Sequence, residues 1–525
     1  MNIKKLALSS ICFAALSMSA WAANVKPVID VWPAMVRLEY NPILQLDVSS
    51  DSELLREIQL DFTGTTNLKN IKEVSIFVGG DVAKPGKNFG SANVRAGKVN
   101  IKGTMGLANS DKIFVSVKLA DKVASLNDTI TLAVPQVKIG KSTIKVPQAK
   151  VTQRIGYTVA KPGDLGSKNY RIPAIVQTKK GTLVATFDIR YNHAGDLPAN
   201  IDVGVTRSTD GGKTWTDIES VMTSKGMEVT KGVGDPGILY DVNNDIVWIA
   251  GLWAPQSGHP IWASVAGTTS PKNCGQMLLI KSKNDGKTWS KPINITESVK
   301  RLGDSDTKNW GLLFQGPGAG ICMSDGTLVF PSQVWMRNKD NTKTEGEGAS
   351  QGVLVYSKDG GKTWTSTKST PFGGSESTCF EKANGSIALN TRTNKGWGRT
   401  GSILKKVDGK TEWIVDENLV SGAAGTLRQP GGCQGALLKV GGKVYFSNPD
   451  SGNGRRDMTV KMSSNEGKAW NAGLLYDARS CAGYSSLCTL DKDHIGVLYE
   501  GAPNSQVINF LSLPYSEIDK AKKAK

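Results

Sequence analysis

The sequence predicts an all-β protein, with an N-terminal β-sandwich followed by a larger domain of repeated antiparallel sheets. Short runs of β-forming residues recur along the chain, and Gly, Asn, Asp and Ser separate them as turn residues do. An eight-residue pattern that ends in Trp occurs four times after residue 200, which indicates a repeated structural unit. The 58 glycines among 525 residues also suit a turn-rich β protein.

Residues 1–22 have the pattern of a secretory signal peptide. Lys4 and Lys5 precede an apolar stretch at residues 6–18, and Ala20 and Ala22 are small residues at the two positions that a signal peptidase reads. The apolar stretch is short for a bilayer span, so cleavage is favoured over an uncleaved anchor, and no later segment is apolar enough to cross a bilayer. We therefore expect an exported protein that is periplasmic, surface-bound or secreted.

Residues 23–150 are predicted to form a separate domain of ordinary size. Their β-forming runs alternate with turn residues, and the Trp-ending octet is absent from them, which favours a β-sandwich. The runs lie at residues 43–48, 74–78, 113–119 and 130–134. A carbohydrate-binding role and a purely supporting role both stay open for this domain.

The octets occupy residues 208–215, 282–289, 357–364 and 463–470, so their starts are 74, 75 and 106 residues apart. The last interval has room for one further unit that has lost its octet. Within an octet, Asp or Asn can accept hydrogen bonds from its own turn, Gly permits a positive φ, and Trp can pack between strands. We therefore predict that the octets are rigid hairpin turns and not part of a site.

Residues 170–173, with the sequence YRIP, precede the first octet. Together, the octets and this motif resemble the Asp-boxes and the (F/Y)-R-I-P motif of bacterial sialidases (neuraminidases). The resemblance implies that residues 151–525 form a six-bladed β-propeller with exo-α-sialidase activity. Asn284 and Asn465 replace the usual Asp of the octet and Ala469 replaces Thr, but Asn can still cap the turn.

The implied substrate explains why arginines matter. A sialic acid carries a carboxylate directly on its reacting anomeric carbon, and a guanidinium group is a planar, permanently charged fork that can bind a carboxylate through two hydrogen bonds. Arg171, Arg392 and Arg455 match the arginine cluster of sialidases by motif. Arg456 competes for the third assignment, and Arg455 is preferred because it lies three residues before the Met that begins the next strand.

The resemblance also implies the catalytic groups. Tyr484 matches the nucleophile, since a neutral phenol avoids the repulsion that a carboxylate would meet beside the substrate's own carboxylate. A phenol with a pKa of about 10 needs an adjacent base, and Glu376 matches that partner. Asp196 matches the acid that protonates the leaving oxygen and then activates water. Arg190 and Asp235 match positions near the ring hydroxyl and the acyl-amino group of the substrate.

These residues imply a retaining exo-α-sialidase that hydrolyses terminal sialic acids from glycoproteins, glycolipids and oligosaccharides. A trans-sialidase would share all of them, whereas a catalytically silent sialic-acid-binding propeller would not need the Tyr–Glu pair. The net charge of +17 suits acidic partners such as sialylated glycans, and no basic helix or aromatic–basic pattern indicates nucleic acid. We expect a monomer that uses no cofactor.

Six dispersed cysteines remain after residue 22, and none has the C-x-x-C spacing of a zinc site. With only three histidines in the chain, we expect no metal centre. Export permits disulfides, so Cys481 and Cys488 could close a short loop, and six separate buried thiols are the alternative.

Overall fold

The computed structural model describes residues 23–50, 53–225, 231–255, 261–337, 350–371, 373–393, 398–407, 410–415, 427, 432–501 and 506–522. The predicted signal peptide lies outside the described residues. Within them, helices are few and short: α1 (Thr296–Lys300), α2 (Tyr515–Asp519) and three 3₁₀ helices at Leu68–Asn70, Asp164–Gly166 and Ile261–Ala263. None of the described helices has the length and apolar character needed to cross a bilayer.

The first part of the chain forms the predicted β-sandwich. Its strands are β1 (Asn24–Val28), β2 (Ala34–Val36), β3 (Pro42–Ser49), β4 (Leu54–Asp61), β5 (Ile71–Gly80), β6 (Pro85–Ala92), β7 (Lys98–Gly106), β8 (Ser110–Leu119), β9 (Thr129–Ala133), β10 (Gln136–Ile139), β11 (Ser142–Lys145) and β12 (Lys150–Ala160). One sheet has the order β1-β3-β8-β5-β6 and the other includes β11-β10-β4-β9-β12, with β7 also paired to β4. Fully buried side chains from both sheets, such as Leu44, Ile58, Val115 and Leu132, share one core.

The described residues that follow form six mainly antiparallel sheets, the blades of the predicted propeller. Blade 1 contains β13 (Asn169–Gln177), β14 (Leu183–Arg190), β15 (Ile201–Ser208) and β16 (Glu219–Met222). Blade 2 contains β17 (Val233–Asp241), β18 (Ile246–Trp253), β19 (Gln276–Ser282) and β20 (Ile293–Asn294). Blade 3 contains β21 (Trp310–Gln315), β22 (Gly318–Ala319), β23 (Ile321–Cys322), β24 (Leu328–Met336), β25 (Ser350–Ser357) and β26 (Thr365–Ser366), of which β22 pairs with β17.

The remaining blades complete a ring. Blade 4 contains β27 (Ser377–Glu381), β28 (Ile387–Arg392), β29 (Arg399–Val407) and β30 (Lys410–Val415). Blade 5 contains β31 (Ala436–Val440), β32 (Lys443–Pro449), β33 (Met458–Ser463) and β34 (Leu474–Asp477). Blade 6 contains β35 (Ser485–Thr489), β36 (His494–Gly501) and β37 (Val507–Pro514), and β12 supplies its fourth strand. The first strand of blade 6 contacts the first strands of blades 5 and 1, which closes the ring.

The octets have the predicted structural role. The octets begin at the last residues of β15, β19, β25 and β33, in blades 1, 2, 3 and 5, and blade 4 fills the long interval that has no octet. In the first octet, Asp210 accepts hydrogen bonds from the amide and the hydroxyl of Thr214 at 3.0 and 2.6 Å. Asn284 still accepts a bond from the Thr288 amide at 3.0 Å, so the change from Asp preserves the turn.

The strand β12 belongs to both parts of the molecule. Its first residues, from Lys150 to Arg154, pair with β9 of the sandwich, and its last residues, from Tyr157 to Ala160, pair with β37 of blade 6. Between them, Ile155 to Tyr157 pair in parallel with β2. One sheet of ten strands therefore runs without interruption from the sandwich into the propeller.

Candidate active site

The residues that the sequence motifs indicated lie at one end of the propeller. Arg171 lies in β13, Arg190 and Arg392 end β14 and β28, and Glu376 and Tyr484 directly precede β27 and β35. Neighbouring strands of a blade are antiparallel, so the start of the first strand and the end of the second lie at the same edge. Because neighbouring blades contact one another around the ring through these first strands or, between blades 3 and 4, through β23, β24 and β27, these edges lie at one end of the ring.

Tyr484 is the centre of this site. Its hydroxyl donates a hydrogen bond to Oε1 of Glu376 and accepts one from Nη1 of Arg392 at 2.9 Å. The other carboxylate oxygen of Glu376 accepts a bond from the same Arg392 nitrogen at 2.8 Å. Phenol, carboxylate and guanidinium therefore form one closed hydrogen-bonded triangle, built from the edges of blades 4 and 6.

The electrostatics of the triangle keep the phenol protonated. Burial raises the pKa of Tyr484 well above its usual value, and the negative charge of Glu376 raises it further, while Arg392 and Arg455 oppose the rise. The pKa of Arg392 is raised chiefly by Glu376, so the guanidinium stays charged. A base in contact with the hydroxyl is therefore needed before this oxygen can act as a nucleophile.

Arg171 is held by a buried carboxylate that the motifs did not indicate. Its Nε donates a hydrogen bond to Oε1 of Glu500 at 2.6 Å, and the Glu500 side chain is 0% exposed. The same carboxylate accepts bonds from the backbone amides of Ile172 at 2.9 Å and Tyr484 at 3.0 Å. Glu500 thus joins the arginine motif of blade 1 to the tyrosine of blade 6.

Two strained residues shape the backbone here. Ile172 and Asp235 each precede a proline in the first strand of blades 1 and 2, and their φ angles are +61° and +51°. Both interrupt the regular register of their strand pair. A β-branched residue such as Ile rarely adopts a positive φ, and such strain persists where surrounding contacts enforce it. At Ile172, the contact is the hydrogen bond from its amide to Glu500.

Arg455 and not Arg456 faces the tyrosine. The guanidinium carbons of Arg171 and Arg455 lie 5.4 and 5.5 Å from the centre of the Tyr484 ring. Arg456 has a side chain that is 45% exposed and that pairs with its neighbour Asp457. The geometry therefore favours Arg455 as the third arginine, and with Arg392 it brings three guanidinium groups around one phenol.

Arg190 joins two carboxylates on the blade 1 side of the site. Its Nε and Nη2 donate hydrogen bonds to Oδ2 of Asp188 at 3.0 and 2.8 Å, and both side chains are 1% exposed. Its Nη1 donates to Oδ1 of Asp196 at 2.8 Å. The Asp196 side chain is 61% exposed, so this carboxylate lies at the rim of the site and is accessible to solvent.

Asp235 completes the acidic side of the site. Its amide donates a hydrogen bond to Oδ1 of Asp188 at 2.9 Å, and its carbonyl accepts one from the side chain of Gln315. Burial raises the pKa of Asp235 well above its usual value, and the charges of Asp188 and Asp196 raise it further. Burial also raises the pKa of Asp188, to about 6, against the opposing effect of Arg190.

Glu500 and Asp188 are the site residues that the sequence reasoning missed. Both carried a signal, because each is a carboxylate near the end of a strand that is mostly apolar. Asp188 also lies two residues from Arg190 on the same face of β14, which is the spacing of a salt-bridged pair within a strand. In the described part of the chain, no group of three or more His, Cys, Asp or Glu is placed to hold a metal ion.

Comparisons with known proteins show the family to which the chain belongs. Residues 172–468 match a family model described as a BNR repeat-like domain, and residues 22–96 match one described as the N-terminal domain of BNR-repeat neuraminidase. The chain is 32% identical to a sialidase of Bacteroides fragilis over 90% of this chain and 91% of that protein. It is 30% identical to a sialidase of Paraclostridium sordellii over 68% of this chain and 87% of that protein. A solved Hadza microbial sialidase superimposes with a TM-score of 0.82 and 29% identity, over 94% of this chain and 99% of that one.

Proposed function

Because the chain belongs to the BNR-repeat neuraminidase (sialidase) family of glycoside hydrolases, we propose that it is a retaining exo-α-sialidase that releases terminal sialic acids from glycoconjugates. The observation that carries the proposal is the triangle of Tyr484, Glu376 and Arg392. A glycan-binding protein without catalysis has no need to place a carboxylate base against a buried phenol. We assign the sialidase unit to residues 151–525.

In the proposed complex, the substrate carboxylate lies among Arg171, Arg392 and Arg455. Their charges offset the negative charge that would otherwise repel an approaching nucleophile. Arg190 and Asp235 lie on the blade 1 and blade 2 side of the same site, where they are placed to contact the ring hydroxyl and the acyl-amino group. The sugar is thereby held with its anomeric carbon facing the Tyr484 hydroxyl.

The first chemical step forms a bond between Tyr484 Oη and the anomeric carbon. Glu376 takes the phenolic proton as this bond forms, because the raised pKa of Tyr484 leaves little phenolate beforehand. The bond from the anomeric carbon to the glycosidic oxygen breaks, and Asp196 gives its proton to the departing oxygen. The products of this step are the free aglycone alcohol and a covalent intermediate in which sialic acid is bound to Tyr484 as an aryl glycoside.

The second step reverses these roles. Asp196 takes a proton from water, the water oxygen bonds to the anomeric carbon, and the bond to Tyr484 Oη breaks while Glu376 returns its proton to the phenol. Two successive inversions retain the α configuration. The exposure of Asp196 at the rim suits both of its roles, since the aglycone leaves and water enters on that side.

Tyr484→Phe tests the proposal most directly. The variant keeps the ring but removes the reacting oxygen, so we expect kcat on an aryl sialoside to fall by at least about a thousandfold while KM and the folded structure change little. Tyr445→Phe is the matched control, because it also removes a hydroxyl bonded to a carboxylate, here Asp519 at 3.2 Å, but away from the site. Wild-type turnover in Tyr484→Phe would reject the nucleophile assignment.

The reaction products test the rest of the proposal. Proton NMR during turnover should show the α-anomer of free sialic acid first if the configuration is retained. With excess lactose present, hydrolysis should still dominate, and preferential formation of sialyllactose would identify a trans-sialidase instead. Binding of an unsaturated sialic acid without any turnover would identify a silent sialic-acid-binding propeller.

We also propose that the protein is exported through residues 1–22, on the strength of their signal-peptide pattern. The substrates of a sialidase, the glycans of glycoproteins and glycolipids, are reached outside the cytoplasm. The intact mass of the protein recovered from periplasmic and culture fractions should correspond to a chain that begins at residue 23. A full-length chain confined to the cytoplasm would contradict this.

A further inference from the structure

The segment 432–434, with the sequence Gly-Cys-Gln, lies one residue before β31 and contacts several of the site residues. We propose that the 432–434 segment positions Arg392, Arg455 and Tyr484, with Gly432 controlling the binding of the substrate carboxylate and Cys433 controlling the orientation of the nucleophile. The proposal rests on the sialidase function proposed above.

Gly432 lies between two of the arginines. Its carbonyl accepts a hydrogen bond from Nη2 of Arg455 at 2.6 Å. Its φ is +59°, and a Cβ at this position would come within 3.3 Å of Nη2 of Arg392. Glycine supplies both the left-handed backbone and the space for the guanidinium. A side chain at position 432 would therefore crowd the Arg392 guanidinium and strain the backbone whose carbonyl Arg455 binds.

Cys433 supports Tyr484 from within the core. It is 0% exposed and forms one apolar cluster with Ile172 and Tyr484. A Cβ on Gly483, the residue before Tyr484, would come within 2.9 Å of Cys433 Sγ, so the thiol lies against the backbone that carries the nucleophile. Burial raises the pKa of Cys433 to about 11, so the thiol is neutral and acts as a packing group. Its carbonyl accepts a bond from Nη1 of Arg399 at 2.7 Å.

Gln434 attaches this segment to two other blades by hydrogen bonds. The side chain is 1% exposed. Its Oε1 accepts a hydrogen bond from the Ser485 amide at 3.1 Å, and its Nε2 donates to the Ser485 carbonyl at 3.1 Å and to the Pro317 carbonyl at 3.2 Å. The side-chain amide of Gln434 therefore connects the start of blade 5 to Ser485, which follows Tyr484, and to Pro317 of blade 3. The segment therefore has a defined position relative to Tyr484.

The first test is Gly432→Ala, with Gly441→Ala as its control. Gly441 has a similar φ of +54°, lies just beyond the other end of β31, and has open space where its Cβ would be. Both variants carry the same backbone strain, but only the first presses on the arginines. We expect Gly432→Ala to raise KM about ten- to a hundredfold with little change in kcat, because the carboxylate is bound in both ground and transition states. Gly441→Ala should keep wild-type kinetics.

The second test is Cys433→Ala, with Cys488→Ala as its control. Both thiols are buried, at 0% and 3% exposure, so both variants leave a similar void, but Cys488 packs away from the Tyr484 ring. We expect Cys433→Ala to lower kcat about tenfold with little change in KM, because it loosens the nucleophile and not the carboxylate clamp. Cys488→Ala should lower only the melting temperature.

Calorimetric measurement of the binding of an unsaturated sialic acid distinguishes a failure of the proposed function from a failure of the proposed positioning role. Gly432→Ala should weaken this binding by the same factor that it raises KM, and Cys433→Ala should leave it unchanged. If the wild type binds the ligand but hydrolyses no sialoside, the proposed function fails, while the binding loss in Gly432→Ala still tests the positioning role. If the wild type is active and Gly432→Ala matches Gly441→Ala in KM and binding, or Cys433→Ala matches Cys488→Ala in kcat, the positioning role is overturned.

Discussion

Glu500→Gln is the substitution that most directly probes how the first arginine is held. The Glu500 carboxylate accepts hydrogen bonds from Nε of Arg171 at 2.6 Å and from the amides of Ile172 and Tyr484 at 2.9 and 3.0 Å. Glutamine keeps the shape, but its NH₂ group must then face at least one of these donors. The variant also leaves the Arg171 guanidinium, whose side chain is 16% exposed, without its counter-charge.

The expected losses follow from this geometry. Removing one partner of a buried ion pair costs about 3–5 kcal/mol of unfolding free energy, and both members of this pair are well below one-third exposed. Glu500 also raises the pKa of Arg171 against the lowering effect of burial, so it favours the charged form that binds a carboxylate. A loosened charge-assisted hydrogen bond to the substrate is worth about 1.5–3 kcal/mol, which corresponds to a fall in kcat/KM of roughly ten- to a hundredfold.

Denaturant unfolding and steady-state kinetics on an aryl sialoside would measure both effects. Glu381→Gln is the matched control, because Glu381 also accepts hydrogen bonds, from the amide and hydroxyl of Ser324 at 2.8 and 2.6 Å, but at the opposite end of blade 4. It should cost no more than about 1.5 kcal/mol and leave kcat/KM unchanged. Equal stability and equal kinetics in the two variants would refute the role given to Glu500.

Three further outcomes are expected. Arg455→Ala should raise KM by about tenfold or more, whereas Arg456→Ala, which removes an exposed side chain, should leave it unchanged; the reverse result would exchange the two assignments. Arg171→Lys should also raise KM by about tenfold or more, because a point charge cannot reproduce the guanidinium fork, and wild-type kinetics would remove the carboxylate-clamp claim. The pKa of Asp188 is raised to about 6 by burial, so the folded state holds this proton more tightly than the unfolded chain does. Wild-type unfolding free energy should therefore fall as the pH rises from about 4 to 6, and Asp188→Asn should flatten that part of the profile, which denaturation at several pH values would show.

The sequence predicted the fold class because its signals are local. An octet is a complete turn whose Ser, Asp, Gly and Thr contact one another, so its structure can be read from eight residues. The predicted extra unit between the third and fourth octets is blade 4. The alternative of a disulfide between Cys481 and Cys488 was wrong, because all six described cysteines carry free thiols.

The site was less accessible to sequence reasoning, because its contacts join residues that are far apart in the chain. Arg171 and Glu500 are separated by 329 residues, and Gln434 and Ser485 by 51. Motifs indicate residues that resemble known reactive groups, whereas Glu500 lies in a mostly apolar strand and belongs to no such motif. Glu500 meets Arg171 because closure of the ring places blade 6 beside blade 1.

The shared strand β12 has a practical consequence for anyone who wishes to divide this protein. If the chain is cut just before residue 150, β12 stays with the propeller and β9 of the sandwich loses its partner. If the chain is cut just after residue 160, β12 stays with the sandwich and blade 6 loses its outermost strand. Neither product inherits a complete hydrogen-bonded surface, so exposed edges would invite aggregation. Module exchange in this protein therefore calls for the sandwich and the propeller to be moved together as one unit, so that β12 keeps its pairings with β9, β37 and its parallel partner β2.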